Sequence, residues 1–238
     1  MRHIGFSVLL CTVLAATVNG ETIAVWNFND AISGSTGGEL EFLVDRGSGI
    51  MSSDFVFSNI GNSSGSTVNS DSGDPAGRAL RLSSSANNGS SLIWNLSTEG
   101  FDSIGISFAI RRTSTGFSNN QFFHSVDSGI SWTNFGGSFN PDTSFSLQNF
   151  DLSGILGLHN NPNAAFRILF DGASSASGNN RIDNLVVSGN PALPPVSTPI
   201  PESSTIVLTT AGLAGVFLLR RYKNRRESPG SASQNPVD

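Results

Sequence analysis

The chain is 238 residues long, with 18 Asp and Glu against 13 Lys and Arg and a net charge of −5. Positions 21–198 hold 15 of those acids, seven Arg and no Lys, a net of −8, which argues against a nucleic-acid partner. The one cysteine, Cys11, excludes a disulfide framework, so stability must come from an apolar core.

The first 20 residues read as a secretory signal peptide. Met1-Arg2-His3 is a basic start, Ile4 to Val18 is an apolar stretch, and Val18-Asn19-Gly20 offers small or apolar residues before Glu21. Cys11 lies inside the apolar stretch after Leu10, which is too large for a lipoprotein cleavage site. The exported part then has no cysteine.

Residues 21–190 are rich in Gly, Ser and Asn and nearly lack helical periodicity. Predicted strands are Thr22–Phe28, Leu40–Leu43, Phe55–Asn59, Ala79–Leu82, Ser91–Leu96, Ile104–Arg111, Phe122–Val126, Ser131–Phe135, Phe145–Phe150, Phe166–Phe170 and Arg181–Ser188. From Ile104 to Ile110 the even positions are apolar and the odd ones small or polar, the period of a strand with one buried face. Turn-forming residues recur between the runs, with longer loops at 61–77 and 173–180. This spacing predicts an all-β fold, a jelly-roll-type β-sandwich.

Three groups of residues in this region are candidates for chemistry. Ser125, Asp127, Gly129, Ser131 and Trp132 match the Asp-box pattern, Ser-x-Asp-x-Gly-x-Ser/Thr-Trp, which recurs in sialidase-like propellers. Its physical logic is a hairpin lock: Asp127 bonds turn N–H groups, Gly129 takes a positive φ and Trp132 packs beneath. Ligand contact is the alternative. Trp26, Trp94 and Trp132 offer rings for sugar stacking, though each lies in an apolar run and core packing is the plainer role. Trp132 and Phe135 are the best candidates for exposure. Asp30, Asp171 and Asp183 are weak Ca²⁺ candidates, with turn capping as their alternative role and no strict Ca²⁺ loop in the chain. No other cofactor is indicated.

No catalytic set is evident. His124 and His159 fall in no metal or triad motif, and Glu39 and Glu41 read as a solvated strand edge rather than a hydrolytic pair. The reading is of a non-enzyme.

The C-terminal stretch has three parts in fixed order. Residues 191–202 form a linker with Pro at 194, 195, 199 and 201, closed by Glu202. Residues 203–219 are uncharged, and the apolar part, Ile206–Leu219, spans about 21 Å as a helix. That is short for a bilayer core of about 30 Å, so local thinning or snorkelling is needed for it to cross. Arg220, Arg221, Lys223, Arg225 and Arg226 follow in the tail 220–238. The positive-inside rule leaves this end cytoplasmic and the sandwich outside. The expectation is a single transmembrane helix.

The order Pro199, Pro201 and Glu202, then a short span, then arginines resembles the PEP-CTERM sorting signal of bacterial surface and exopolysaccharide-associated proteins. Here Ser203 stands where that signal has its second Pro, and the chain continues past the arginines to Asp238. Trp26-Asn27-Phe28 and Ile182–Gly189 resemble the ends of the ectodomains in that group. The resemblance implies processing by an exosortase-like transpeptidase, a cell-surface location and association with extracellular polysaccharide. Similar jelly-roll and laminin-G-like sandwiches lay first and last strands side by side. A carbohydrate-binding lectin is the alternative, and a secreted glycoside hydrolase stands behind both.

Overall fold

A computed structural model describes residues 20–30, 40–71 and 73–193. The chain divides into two compact units, 1–192 and 193–238. The predicted signal peptide through Asn19, most of the linker, the predicted span 203–219 and the basic tail lie outside the described residues. Among the described residues no helix is long and apolar enough to cross a membrane.

The first unit is all-β. In chain order its strands are β1 (Glu21–Trp26), β2 (Leu40–Phe42), β3 (Arg46–Gly47), β4 (Ile50–Ser53), β5 (Ile60–Ser64) and β6 (Arg78–Ser83). There follow β7 (Ser90–Leu96), β8 (Phe101–Arg112), β9 (Gln121–Ser125), β10 (Thr133–Asn134), β11 (Ser146–Asp151), β12 (Ala164–Phe170) and β13 (Asn179–Pro191). Two antiparallel sheets result. Sheet A runs β11-β8-β13-β1-β3, with β6 also on β13 and β5 on β6. Sheet B runs β10-β9-β12-β7-β4-β2.

Alternation drives the two sheets together. Ile104, Ile106, Phe108 and Ile110 of β8, Leu80 and Leu82 of β6, and Ile182, Leu185 and Val187 of β13 point inward from sheet A. Leu92, Trp94 and Leu96 of β7, Phe122 of β9, and Phe166, Ile168 and Phe170 of β12 meet them from sheet B. Phe122 and Phe150 bridge the layers, their rings stacked with centroids 4.0 Å apart. Each fully buried large side chain contributes about 1.5–3 kcal/mol relative to exposure, enough to hold a sandwich without disulfides.

Two expected elements differ. Phe55–Asn59 is not a strand; Phe57–Asn59 is a 3₁₀ turn, and the strand pairing with β7 is Ile50–Ser53. Phe55 turns into the core between Phe117 and Phe170, 5.5 Å from each ring, instead of alternating along an edge. The predicted loop 61–77 starts as β5, whose Gly61–Ser64 pair with Arg81–Arg78. Its Gly-Asn-Ser-Ser text pairs through the backbone and carries no apolar period. Two ends also move. The first strand stops at Trp26 because Phe28 takes φ 55°, and β10 keeps only Thr133–Asn134 of the expected Ser131–Phe135.

β1 lies antiparallel on β13, from Glu21 opposite Gly189 to Trp26 opposite Leu185. β6 pairs with the first part of the same edge, from Asn179 to Ile182. The edge changes partner at Asp183–Asn184, where the β8 register also slips. Asn184 takes φ 49°, which Asn tolerates better than most residues. The segment after β5 fills the gap. Ser66 N–H donates to Asp183 Oδ2 at 2.6 Å, and Asn184 Nδ2 donates to the carbonyls of Ser66 and Val68 at 2.8 and 2.9 Å. Asn69 Nδ2 returns a bond to the Asn184 carbonyl at 2.7 Å. A Cβ on Gly65 would lie 2.6 Å from Asp183 Oδ2 and 2.1 Å from the Ala76 carbonyl oxygen, so the chain crosses here only as glycine.

Burial raises the Asp183 carboxyl from 3.8 to about 7, against two backbone N–H bonds that favour its charge. The folded chain therefore keeps a proton that the unfolded chain has already lost. The stability tied to this carboxyl is complete below about pH 4 and is lost as pH rises through about 7. The slope within that window reaches at most about 1.4 kcal/mol per pH unit. Urea unfolding at a series of pH values should show this decline in the parent chain and a flatter profile in Asp183→Asn.

Candidate functional site

The outward residues of sheet B are set by the same alternation that builds the core. Ser52, Ile93, Arg167, Phe123 and Asn134 stand in one row across β4, β7, β12, β9 and β10. The Arg167 guanidinium carbon lies 4.3 Å from the Phe123 ring centroid and 4.7 Å from the Trp132 ring. A guanidinium held by two aromatic faces is fixed in position more firmly than a solvated one. Burial lowers the Arg167 pKa and Asp54 opposes that shift. Its Nε has no hydrogen-bond partner among the described residues.

Trp132 is held by the hairpin that joins β9 to β10. Ser125 Oγ donates to Asp127 Oδ1 at 2.6 Å and accepts from Gly129 N–H at 2.9 Å. Ser131 donates to Asp127 twice, from its N–H at 2.9 Å and its hydroxyl at 2.6 Å. These bonds, the two hydroxyls first, hold the Asp127 carboxyl down at about 2. Gly129 takes φ 85°, and a Cβ there would press to 3.1 Å against the Trp132 ring. The tight loop thus sets the indole beneath its own turn and against Arg167. On its other side the hairpin meets the start of β12: Ser128 N–H donates to the Asn163 carbonyl at 2.8 Å. A groove of about 280 Å³ opens there, lined in part by Ile50, Asn95, Ser128, Pro162 and Asn163.

The other candidates separate. Trp26 and Trp94 are fully buried, and Trp26 Nε1 donates to the Phe42 carbonyl at 3.3 Å. Phe135 is half-buried and packs edge-on against Phe122, His124 and Phe150, so it serves the core and not a platform with Trp132. His124 is buried, which lowers its pKa, and His159 Nε2 lies 3.1 Å from the Ser153 carbonyl oxygen. Asp30, Asp171 and Asp183 do not form one site. Asp171 follows β12 in sheet B and accepts from Gly172 N–H, whereas both Asp183 oxygens accept backbone N–H groups in sheet A. Among the described residues no group of three or more His, Cys, Asp or Glu is placed to hold a metal. The sorting-signal residues Pro199, Pro201, Glu202, Arg220, Arg221, Lys223, Arg225 and Arg226 lie outside the described residues.

Phe123 and Arg167 were not among the expected site residues. Their signal is present: each is the outward residue between two inward ones, Phe122 and His124 in β9, Phe166 and Ile168 in β12. The cross-strand register that brings them together is not readable from either strand alone.

No protein-family model matches the chain, and no curated protein sequence matches it. Similar solved structures include the CBM22-1 xylan-binding domain of Xyn10C from Paenibacillus barcinonensis, at TM-score 0.45 and 10% identity over 75% of this chain and 100% of that one. The CBM22-1–CBM22-2 tandem of the same protein gives TM-score 0.46 and 10% identity over 80% and 51%. CtCBM11 gives 0.39 and 16% over 76% and 100%. At these values the likeness carries no ligand across, and the site is read from its own residues.

The hairpin lock has a direct check. Asp127→Asn leaves the fold in place but weakens the bonds to Ser125 and Ser131. Amide hydrogen exchange at Gly129 and Ser131 should quicken by an order of magnitude or more, while exchange in β8 and β13 stays as in the parent.

Proposed function

We propose that this chain is an exported, membrane-anchored surface protein whose sandwich binds extracellular polysaccharide without acting on it. The observation that carries the binding role is the partly buried Trp132 side chain, fixed by the Asp127 hairpin against Arg167, which also lies over Phe123. A pyranose ring has one face of C–H groups and a rim of hydroxyls. An indole on a rigid sheet face supplies the apolar partner at little cost in side-chain order, and neighbouring polar side chains such as Thr133 and Asn134 suit the rim. His124 closed inside the sandwich and Glu99 bonded to Ser97 on the surface favour binding over hydrolysis.

The address is read from the sequence. The uncharged stretch 203–219 followed by Arg220, Arg221, Lys223, Arg225 and Arg226 supports a short membrane span with a cytoplasmic tail. The Pro199–Glu202 element before it supports recognition by an exosortase-like transpeptidase.

Affinity electrophoresis of the purified chain through gels containing neutral polysaccharides tests the binding role. Trp132→Ala should weaken retention by at least tenfold, about 1.4 kcal/mol, with Trp132→Phe in between. Equal retention of parent and Trp132→Ala on every gel that slows the parent removes this reading. The anchor has its own test. With all five basic residues of the tail changed to Ala, a C-terminal topology reporter should lose its uniform cytoplasmic orientation, and an unchanged orientation counts against the span.

A further inference from the structure

Sheet A carries a second candidate site on its outer face. Arg181 of β13 stands directly opposite Arg81 of β6 on one side and Arg111 of β8 on the other. Their strand neighbours Leu80, Leu82, Ile110 and Ile182 are buried, so all three arginines point away from the core. The guanidinium stems therefore form a row at the strand spacing, roughly 4.8 Å. Like charges set directly across a sheet repel and oppose folding. The domain has only seven Arg in an excess of acid, yet three of them adjoin.

Nothing within the described residues neutralises the row. Among the described residues the ion pairs join Arg46 to Asp71 and Asp74. Arg81, Arg111 and Arg181 make no ion pair and no side-chain hydrogen bond to a described residue, and the Nε of each is buried without a partner. Asp183, two residues beyond Arg181 on the same face, has its oxygens taken by the Ser66 and Asn184 N–H groups. The ends of the row differ. Gly61 of β5 lies opposite Arg81, where a Cβ would come 2.9 Å from the guanidinium, and the Phe145 ring lies 5.9 Å from the Arg111 guanidinium carbon. The row thus meets a glycine at one end and an aromatic ring at the other.

We infer that the Arg81–Arg181–Arg111 row is a binding site for an acidic polysaccharide, one that carries a carboxylate or sulfate on successive sugars. One anion occupies one guanidinium fork, or two at most. Three forks side by side call for anions repeating along a line. A polymer of acidic sugars has such a repeat, and its ring C–H faces suit the Phe145 end. Nucleic acid also repeats its charge, but a single-strand site adds aromatic rings on which successive bases stack, and among the described contacts of the row there is one ring, Phe145, at its end. The site lies on the sheet opposite Trp132 and does not depend on the role given to that residue.

The test uses the purified full-length chain in detergent, titrated at low salt with polygalacturonate, dextran sulfate, neutral dextran and poly(dT). The parent should bind polygalacturonate or dextran sulfate, the tighter of the two identifying the anion, and show a raised melting temperature with that polymer but not with neutral dextran. The triple variant Arg81→Gln, Arg111→Gln, Arg181→Gln should lose at least tenfold in affinity. Without ligand the triple variant should melt no lower than the parent, since its like-charge repulsion is gone. Arg181→Lys, which keeps charge and loses the fork, should bind several-fold more weakly than the parent. The proposal is overturned by a parent that neither binds nor is stabilised by either acidic polymer, by undiminished affinity in a folded triple variant, or by poly(dT) binding as tightly as the acidic polysaccharide.

Discussion

β13 takes hydrogen-bond partners along both edges, and the sandwich is arranged around that fact. β8 covers one edge over most of its length, while β6 and then β1 share the other. Two partners on one edge leave a seam, and a seam in the middle of a sheet exposes backbone groups that must be satisfied. Asp183 and Asn184 satisfy them by reaching out of the sheet and taking in the segment from Ser66 to Asn69. A carboxyl held near neutral pH at this seam follows from closing the sheet there. It is the cost of joining first strand, last strand and loop in one layer.

The same alternation that closes the core also makes both outer faces. Phe122 and Phe123 are adjacent in sequence and do opposite things: one stacks on Phe150 between the sheets, the other holds Arg167 outside. Leu80 and Leu82 are buried, and Arg81 between them in the chain goes to the other side. Surface chemistry here is tied to core chemistry residue by residue. A one-position slip of β9 would expose Phe122 and bury the residue that positions Arg167.

Much of this was legible in advance, and the failures have physical causes. The strong strands β7, β8, β12 and β13 declare themselves because their buried faces alternate with period two. β5 does not, because Gly61-Asn62-Ser63-Ser64 sits at a sheet edge and pairs through backbone alone. Phe55 misled for the opposite reason: an apolar residue marked a plug into the core, not a strand. The Asp-box residues are close in sequence, so their lock could be read from spacing. Phe123 with Arg167, and Arg81 with Arg181 and Arg111, are 30 residues apart or more. Only the register of distant strands unites them.

The arginines carry that point further. In a domain with seven of them, those outside the row that have a described side-chain contact each do something distinct. Arg46 pairs with Asp71 and Asp74, and Arg112 donates to Asn140 Oδ1 and to the carbonyls of Thr113 and Ser114. Arg167 is clasped by two rings. If the remaining row served only solubility, its charges would gain from being spread out and interleaved with acid, as surface charge usually is. Lysine, more flexible and better hydrated, would serve as well, yet the domain has none. Choosing the planar, fork-shaped cation, setting three copies in register and leaving their Nε atoms buried and unbonded raises the free energy of the empty protein. That arrangement makes physical sense when an anion outside the chain completes it.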